Sequence, residues 1–191
     1  MLNYLFKNLN TLFLTCALAF ISIANAQEVR VIDNKGTIKK ILIPTRAELF
    51  DTNGGFEITD DIVIIPFNAA NTATEIDDPD HYGYSLIPAS ITIKKPGTYK
   101  VTYRVTAEIT SGTNRSGTEY ILLKNNVVVP GSYSAAYHRT LAVSKDTASA
   151  SRILVLGEDD ELSVRGNKYI GNSTVKTVAQ GSSFLVERIK L

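Results

Sequence analysis

The chain reads as an all-β protein, an antiparallel sandwich preceded by a short N-terminal hairpin extension, and three observations carry that reading. In residues 94–109, KKPGTYKVTYRVTAEI, every second residue from Tyr99 onward is apolar or aromatic, with Lys100, Thr102, Arg104, Thr106 and Glu108 in the gaps. Such alternation gives a strand one buried and one wet face, whereas a helix needs apolar residues three and four apart. Strand signals then recur about every ten residues to the end of the chain, the spacing of a sandwich or barrel. No stretch of ordinary helix length keeps a helical period.

Residues 1–26 read as a secretory signal. Lys7 precedes the apolar run LFLTCALAFISIA, and Ala24-Asn25-Ala26 follows as a small-x-small cleavage site. The run is short for a bilayer span, so cleavage after Ala26 is expected to leave no transmembrane anchor. Cys16 is the one cysteine, and Phe13, Leu14 and Thr15 before it do not form a lipobox. It reads as a small apolar residue of the signal, and the mature chain has no disulfide. Removal of Lys7 leaves the basic and acidic residues equal in number, so no surplus charge is available for phosphates and nucleic acid is not an expected partner.

Residues 27–55 read as the extension. VRVI, a turn at DNKG and TIKKILI form a hairpin closed by Pro44, and TRAELFDTNGG then carries one helical turn and a Gly-rich exit, with a boundary near residues 53–55. Beyond it, strands are expected at residues 56–58, 62–67, 90–93, 99–109, 118–123, 127–129, 132–143, 148–156, 161–165, 173–178 and 184–189. In YILLKNNVVVPGS, residues 120–132, Asn125 and Asn126 occupy a two-residue turn that requires positive φ. Tyr99, Val101, Tyr103 and Val105 are the expected core. Residues 62–67 (IVIIPF) and 183–189 (SFLVERI) are apolar on both faces and need two covers. One is the partner sheet; the second is a neighbouring subunit or an overlying loop. Ile64, Phe184, Leu185 and Ile189 are accordingly the candidate interface residues.

PGTYKVTYRVTAE, YILLKNNVVVPGS, TASASRILVLGEDDELSVR (residues 147–165) and the closing SSFLVERI together resemble the globular C1q-like head of the C1q and tumour-necrosis-factor superfamily, in its bacterial form. The resemblance covers residues 56–191. It implies a ten-stranded antiparallel jelly roll assembled as a compact trimer, with inner-sheet residues around the three-fold axis. Residues 27–55 contain three glycines without a triplet period, so no collagen-like stalk is present there.

The acidic stretch EIDDPDHYGY, residues 75–84, brings Asp77, Asp78, Asp80 and His81 close in sequence. It reads as solvated loop charge, with calcium as the alternative; the spacing is not that of an EF-hand. Glu158, Asp159, Asp160 and Glu161 read as turn chemistry. His81 and His138 are the two histidines, and there is no Gly-x-Ser-x-Gly elbow and no HExxH motif. No enzyme and no cofactor is expected, although a carboxylate pair for glycoside cleavage is set by the fold rather than by spacing. Tyr82, Tyr84, Tyr133 and Tyr137, with Tyr169, are the ligand-binding candidates: a tyrosine offers ring area and a polar hydroxyl to a protein or a sugar. The alternative is that each closes the sandwich at a strand end. Asn114-Arg115-Ser116 and Asn172-Ser173-Thr174 match the glycosylation sequon by chance in a bacterial chain.

The expected function is a secreted or surface-displayed, non-enzymatic trimeric module for adhesion, ligand binding or extracellular assembly, its ligand a cell-surface protein or a glycan. Two alternatives belong to other classes. One is a carbohydrate-binding jelly roll using the acidic loop. The other is a structural subunit of an extracellular fibre or sheath, in which the N-terminal hairpin adds to a neighbour's edge.

Overall fold

A computed structural model describes residues 28–32, 36–42, 45–70, 80–112, 115–139 and 144–190. The signal segment therefore lies outside the described residues. Among those described there is no helix, and none long and apolar enough to cross a membrane. The chain divides into two compact units, Met1–Ile43 and Pro44–Leu191. In the first, β1 (Glu28–Ile32) and β2 (Ile38–Leu42) pair antiparallel, with Ile32 opposite Ile38.

The second unit is a sandwich of two antiparallel sheets. In chain order its strands are β3 (Thr45–Phe50), β4 (Glu57–Ile58), β5 (Val63–Ile64), β6 (Ala69–Ala70), β7 (Tyr82–Leu86), β8 (Ala89–Ile93) and β9 (Gly97–Ser111). They continue with β10 (Ser116–Lys124), β11 (Val127–Val128), β12 (Ser134–His138), β13 (Asp146–Leu156), β14 (Glu161–Ile170), β15 (Thr174–Thr177) and β16 (Ser183–Lys190).

The first sheet runs β4-β15-β9-β16-β3-β6, with β13 along the other edge of β9. β15 and β16 follow one another along one edge of β9, whereas β13 pairs from Gly97 to Ala107 on the opposite edge. The second sheet runs β11-β10-β14-β8-β7, with β12 on β10 and β5 on β14. The alternation read from the sequence sets the inward face: Tyr99, Val101, Tyr103, Val105, Ala107 and Ile109 of β9 are all buried. They meet Tyr120 and Leu122 of β10, Leu162 and Val164 of β14, and Ile91 and Ile93 of β8 in one core. Each such side chain contributes about 1.5–3 kcal/mol when fully buried.

The hydroxyls of the core tyrosines are bonded, as burial requires. Tyr103 Oη lies 2.6 Å from the Ser132 carbonyl and 2.9 Å from that of Tyr120. Tyr99 donates to the Lys95 carbonyl.

The extension is shorter than the sequence suggested. TRAELF is strand β3, which pairs with β16 from Thr45 opposite Arg188 to Phe50 opposite Ser183. Its Thr45, Ala47 and Leu49 face inward. Ala, Glu and Leu favour a helix in isolation, but a paired and half-buried position overrides that preference. The DTNGG stretch is a turn inside the head rather than a boundary. The buried Asp51 carboxylate accepts from the backbone N–H of Asn53 (3.1 Å) and Gly54 (2.8 Å) and from the Thr177 hydroxyl (2.9 Å). Gly54 has φ +63°, and a Cβ there would stand 2.3 Å from the Ala179 nitrogen, so only glycine fits.

Candidate functional site

Two faces of the sandwich carry clusters of exposed apolar or aromatic residues. The first is the outward face of the sheet containing β9. Its cross-strand rows place Ile153 beside Lys100 and Glu187, and Ser151 beside Thr102 and Leu185. Ile153 is 66% exposed and Val155 is 79% exposed, both on β13, a long strand at the edge of the sheet. Large β-branched residues in the open beside an unpaired edge form an apolar patch on this face.

Of the four candidate interface residues, Leu185 lies on this outward face, half-buried, and Ile189 is exposed at a register shift near the end of β16. Phe184 does not: it is fully buried and stacks on Phe67, with ring centroids 5.8 Å apart. Ile64 stands in β5, which pairs with β14 in the opposite sheet, so it cannot share a surface with Leu185. In IVIIPF the inward residues are Ile65 and Phe67, which leaves Ile64 half-exposed. Both runs are apolar on each side, so their composition does not say which parity faces in. Ile153 and Val155 were missed for the same reason: RILVL alternates an inward Leu154 and Leu156 with an outward Ile153 and Val155.

The second face is the outer side of the other sheet, where β12, β10 and β14 lie side by side. The register sets Tyr137 opposite Gly117, Ala135 opposite Glu119, Glu119 opposite Asn167, and Ile121 opposite Arg165. Tyr133, just before β12, donates its hydroxyl to Glu119 Oε2 at 3.1 Å. Partial burial and then the Glu119 carboxylate push that hydroxyl above its ordinary range. A Cβ on Gly117 would lie 2.5 Å from Cζ of Tyr169, so the Tyr169 ring lies directly over the glycine. Glu119, Tyr120, Ile121, Tyr133, Arg165 and Asn167 line a small open depression of about 80 Å³.

The tyrosine candidates thus separate. Tyr133, Tyr137 and Tyr169 gather on this face, and Tyr84 is exposed on β7 at the opposite edge of the same sheet. Tyr82 is a core residue, 2% exposed. Its hydroxyl donates to the Thr45 carbonyl at 2.9 Å, and its ring meets Tyr99 edge-on at 6.1 Å. Burial raises its hydroxyl well above the usual tyrosine range. It cannot touch a ligand.

Asp77 and Asp78 lie outside the described residues, and Asp80 is exposed in the turn before β7. Among the described residues no three His, Cys, Asp or Glu side chains gather as a metal site. His81 is buried, and its Nε2 accepts from Arg188 Nη1 at 3.0 Å, while Arg188 Nη2 donates to the Pro96 carbonyl at 2.7 Å. His138 is buried as well. Its Nδ1–H donates to the Ser144 carbonyl at 2.8 Å, so Nε2 accepts from the Thr118 hydroxyl at 3.0 Å, and Tyr120 donates to Thr118 in turn. Both histidines lie buried within the sandwich.

Asp160 holds the turn between β13 and β14. Its carboxylate accepts from Gly157 N–H (2.6 Å) and Asn125 Nδ2 (2.7 Å) and pairs with Lys124 Nζ at 2.8 Å. That ties the turn to the β10–β11 hairpin, where Asn125 and Asn126 have the positive φ the sequence called for.

No protein-family model and no curated protein matches the chain. Solved structures do. The chain is similar to murine APRIL with a TM-score of 0.50 and 10% identity, covering 77% of this chain and 100% of that one. It is also similar to Eiger TNF from S. frugiperda, with a TM-score of 0.49, 11% identity and coverage of 76% and 92%. For the globular domain of zebrafish complement 1qA the TM-score is 0.46, identity 12% and coverage 76% and 96%. Two antiparallel sheets, closed by β3 and β16 lying side by side, give this chain an antiparallel jelly-roll fold, the fold it shares with murine APRIL.

Proposed function

We propose that the chain is a secreted or cell-surface bacterial protein that works without catalysis, as a homotrimeric module for adhesion, ligand binding or extracellular assembly. The observation that carries the reading is the outward face of the β9 sheet. Ile153 and Val155 stand exposed there, with Leu185 half-buried on the same face. Covering them with a second and third copy removes apolar area from water at about 25 cal/mol per Å². It also protects the open edge of β13. The C1q-like resemblance of residues 56–191 supports a trimer with this sheet toward the axis, and the signal-like residues 1–26 support export. A mature chain without a disulfide gains from assembly what small secreted domains otherwise obtain from cross-links.

Light scattering on the secreted chain at micromolar concentration is expected to give the mass of a trimer. The double variant Ile153→Lys/Val155→Lys places two cations on that face and is expected to shift the mass to a monomer with unchanged far-UV circular dichroism. A wild-type chain that stays monomeric overturns the trimer.

A further inference from the structure

We infer that the outer face of the β12-β10-β14 sheet is a saccharide-binding platform, which takes a neutral pyranose unit of a glycan between Tyr133, Tyr137 and Tyr169. Three features of the face support this. Tyr133, Tyr137 and Tyr169 are exposed on one side of the sheet, and the hydroxyl end of the Tyr169 ring comes over Gly117, where any side chain would displace it. An exposed tyrosine ring offers its π face to the C–H side of a pyranose. Between the tyrosines stand three planar polar groups with complementary capacities: Arg165 donates only, Glu119 accepts only, and Asn167 does both. Vicinal sugar hydroxyls need that mixture. Tyr133 already donates to one Glu119 oxygen, which fixes that carboxylate and leaves its second oxygen for a ligand. One acid and one base line the depression, so it carries no net charge to favour an anionic ligand.

The depression is open rather than enclosed, so a ligand there rests on the sheet with its other side in water. A protein partner fits less well. Protein hot spots also use Tyr and Arg, but in well-packed, fully desolvated pockets, and this depression is open to water. Ile153 and Val155, through which copies are proposed to assemble, stand on the other sheet, whereas exposed Ile170 stands beside Tyr169 on β14. The platform therefore stays open when copies assemble through the β9 sheet, and it does not depend on that assembly.

The test uses the full secreted chain, labelled and applied to an array of neutral gluco-, manno-, galacto- and xylo-oligosaccharides beside uronate- and sialate-bearing ones. Binding to a neutral glycan is expected. In calorimetric titration with that glycan, Tyr169→Ala and Asn167→Ala should each raise Kd about tenfold or more, the effect of losing one stacked ring or one well-placed hydrogen-bonding group. Gly117→Val should do the same by lifting Tyr169, while Tyr84→Ala on the far edge changes nothing. Binding to acidic glycans alone, neutral binding indifferent to Tyr169 and Asn167, binding to a cell-surface protein with no glycan, or no binding across the array each overturns the proposal. Light scattering on the same samples keeps the two readings apart: a monomer that binds the glycan refutes only the trimer.

Discussion

Asp160 shows how one side chain joins two turns that are far apart in the chain. Burial alone would raise its carboxyl, but the bonds from Lys124, Gly157 and Asn125 outweigh that and hold it below the ordinary aspartate range. A carboxyl lowered in the folded state contributes stability that is complete above its unfolded pKa and is lost as pH falls through the folded one. Asp160→Asn is therefore expected to cost about 1.5–3 kcal/mol at neutral pH. In urea titrations the gap between wild type and variant should close below about pH 4. A gap that persists at pH 2 would refute the assignment. Other single residues were less legible in the sequence. Phe184 and Leu185 are adjacent and equally apolar, and parity alone decides which is core. Tyr82 reads as a loop ring until β3 is placed in the sheet, because the carbonyl that satisfies it belongs to Thr45.

At the scale of the element, β9 was legible from its strict alternation, the β10–β11 hairpin from its Asn-Asn turn, and the position of β16, though not its parity, from its apolar run. They agree with the structure because period two, turn chemistry and β-branched content all point the same way. β3 and β7 were not legible. TRAELF is short and built of helix formers, and YGYSL follows a charged stretch with no clear parity. Their strand character comes from neighbours distant in sequence, β16 for the first and β8 for the second. This has a consequence for truncation. A chain that begins at Pro44 should melt cooperatively, since it keeps the whole second compact unit. A chain that begins at Phe56 loses β3 and bares one edge of β16. It is expected to aggregate or to melt at least 4–8 °C lower, the shift of about 1 kcal/mol in a small domain. Equal thermal stability of the two would restore the longer extension.

The whole molecule has no tryptophan and builds its core on tyrosine. Burial raises the hydroxyls of Tyr82, Tyr99, Tyr103 and Tyr120 above their ordinary value. A group that holds its proton more tightly when folded stabilises the fold fully below the unfolded pKa of about 10, and that stability is lost as pH rises beyond it. Urea midpoints are expected to be level up to about pH 9 and to fall steeply above about pH 10, together with a cooperative rise in tyrosinate absorbance. Gradual ionisation with no loss of stability would show that these rings are not locked in the core. The pairing of β3 with β16 bears on how the head would carry a load. Thr45, where the chain enters the head, and Arg188, near where it leaves, sit directly across from each other. Whatever is joined to either end attaches at the same pole. Tension applied through both ends peels the two strands apart one pair at a time, starting at Thr45 and Arg188, and never shears the ladder as a unit.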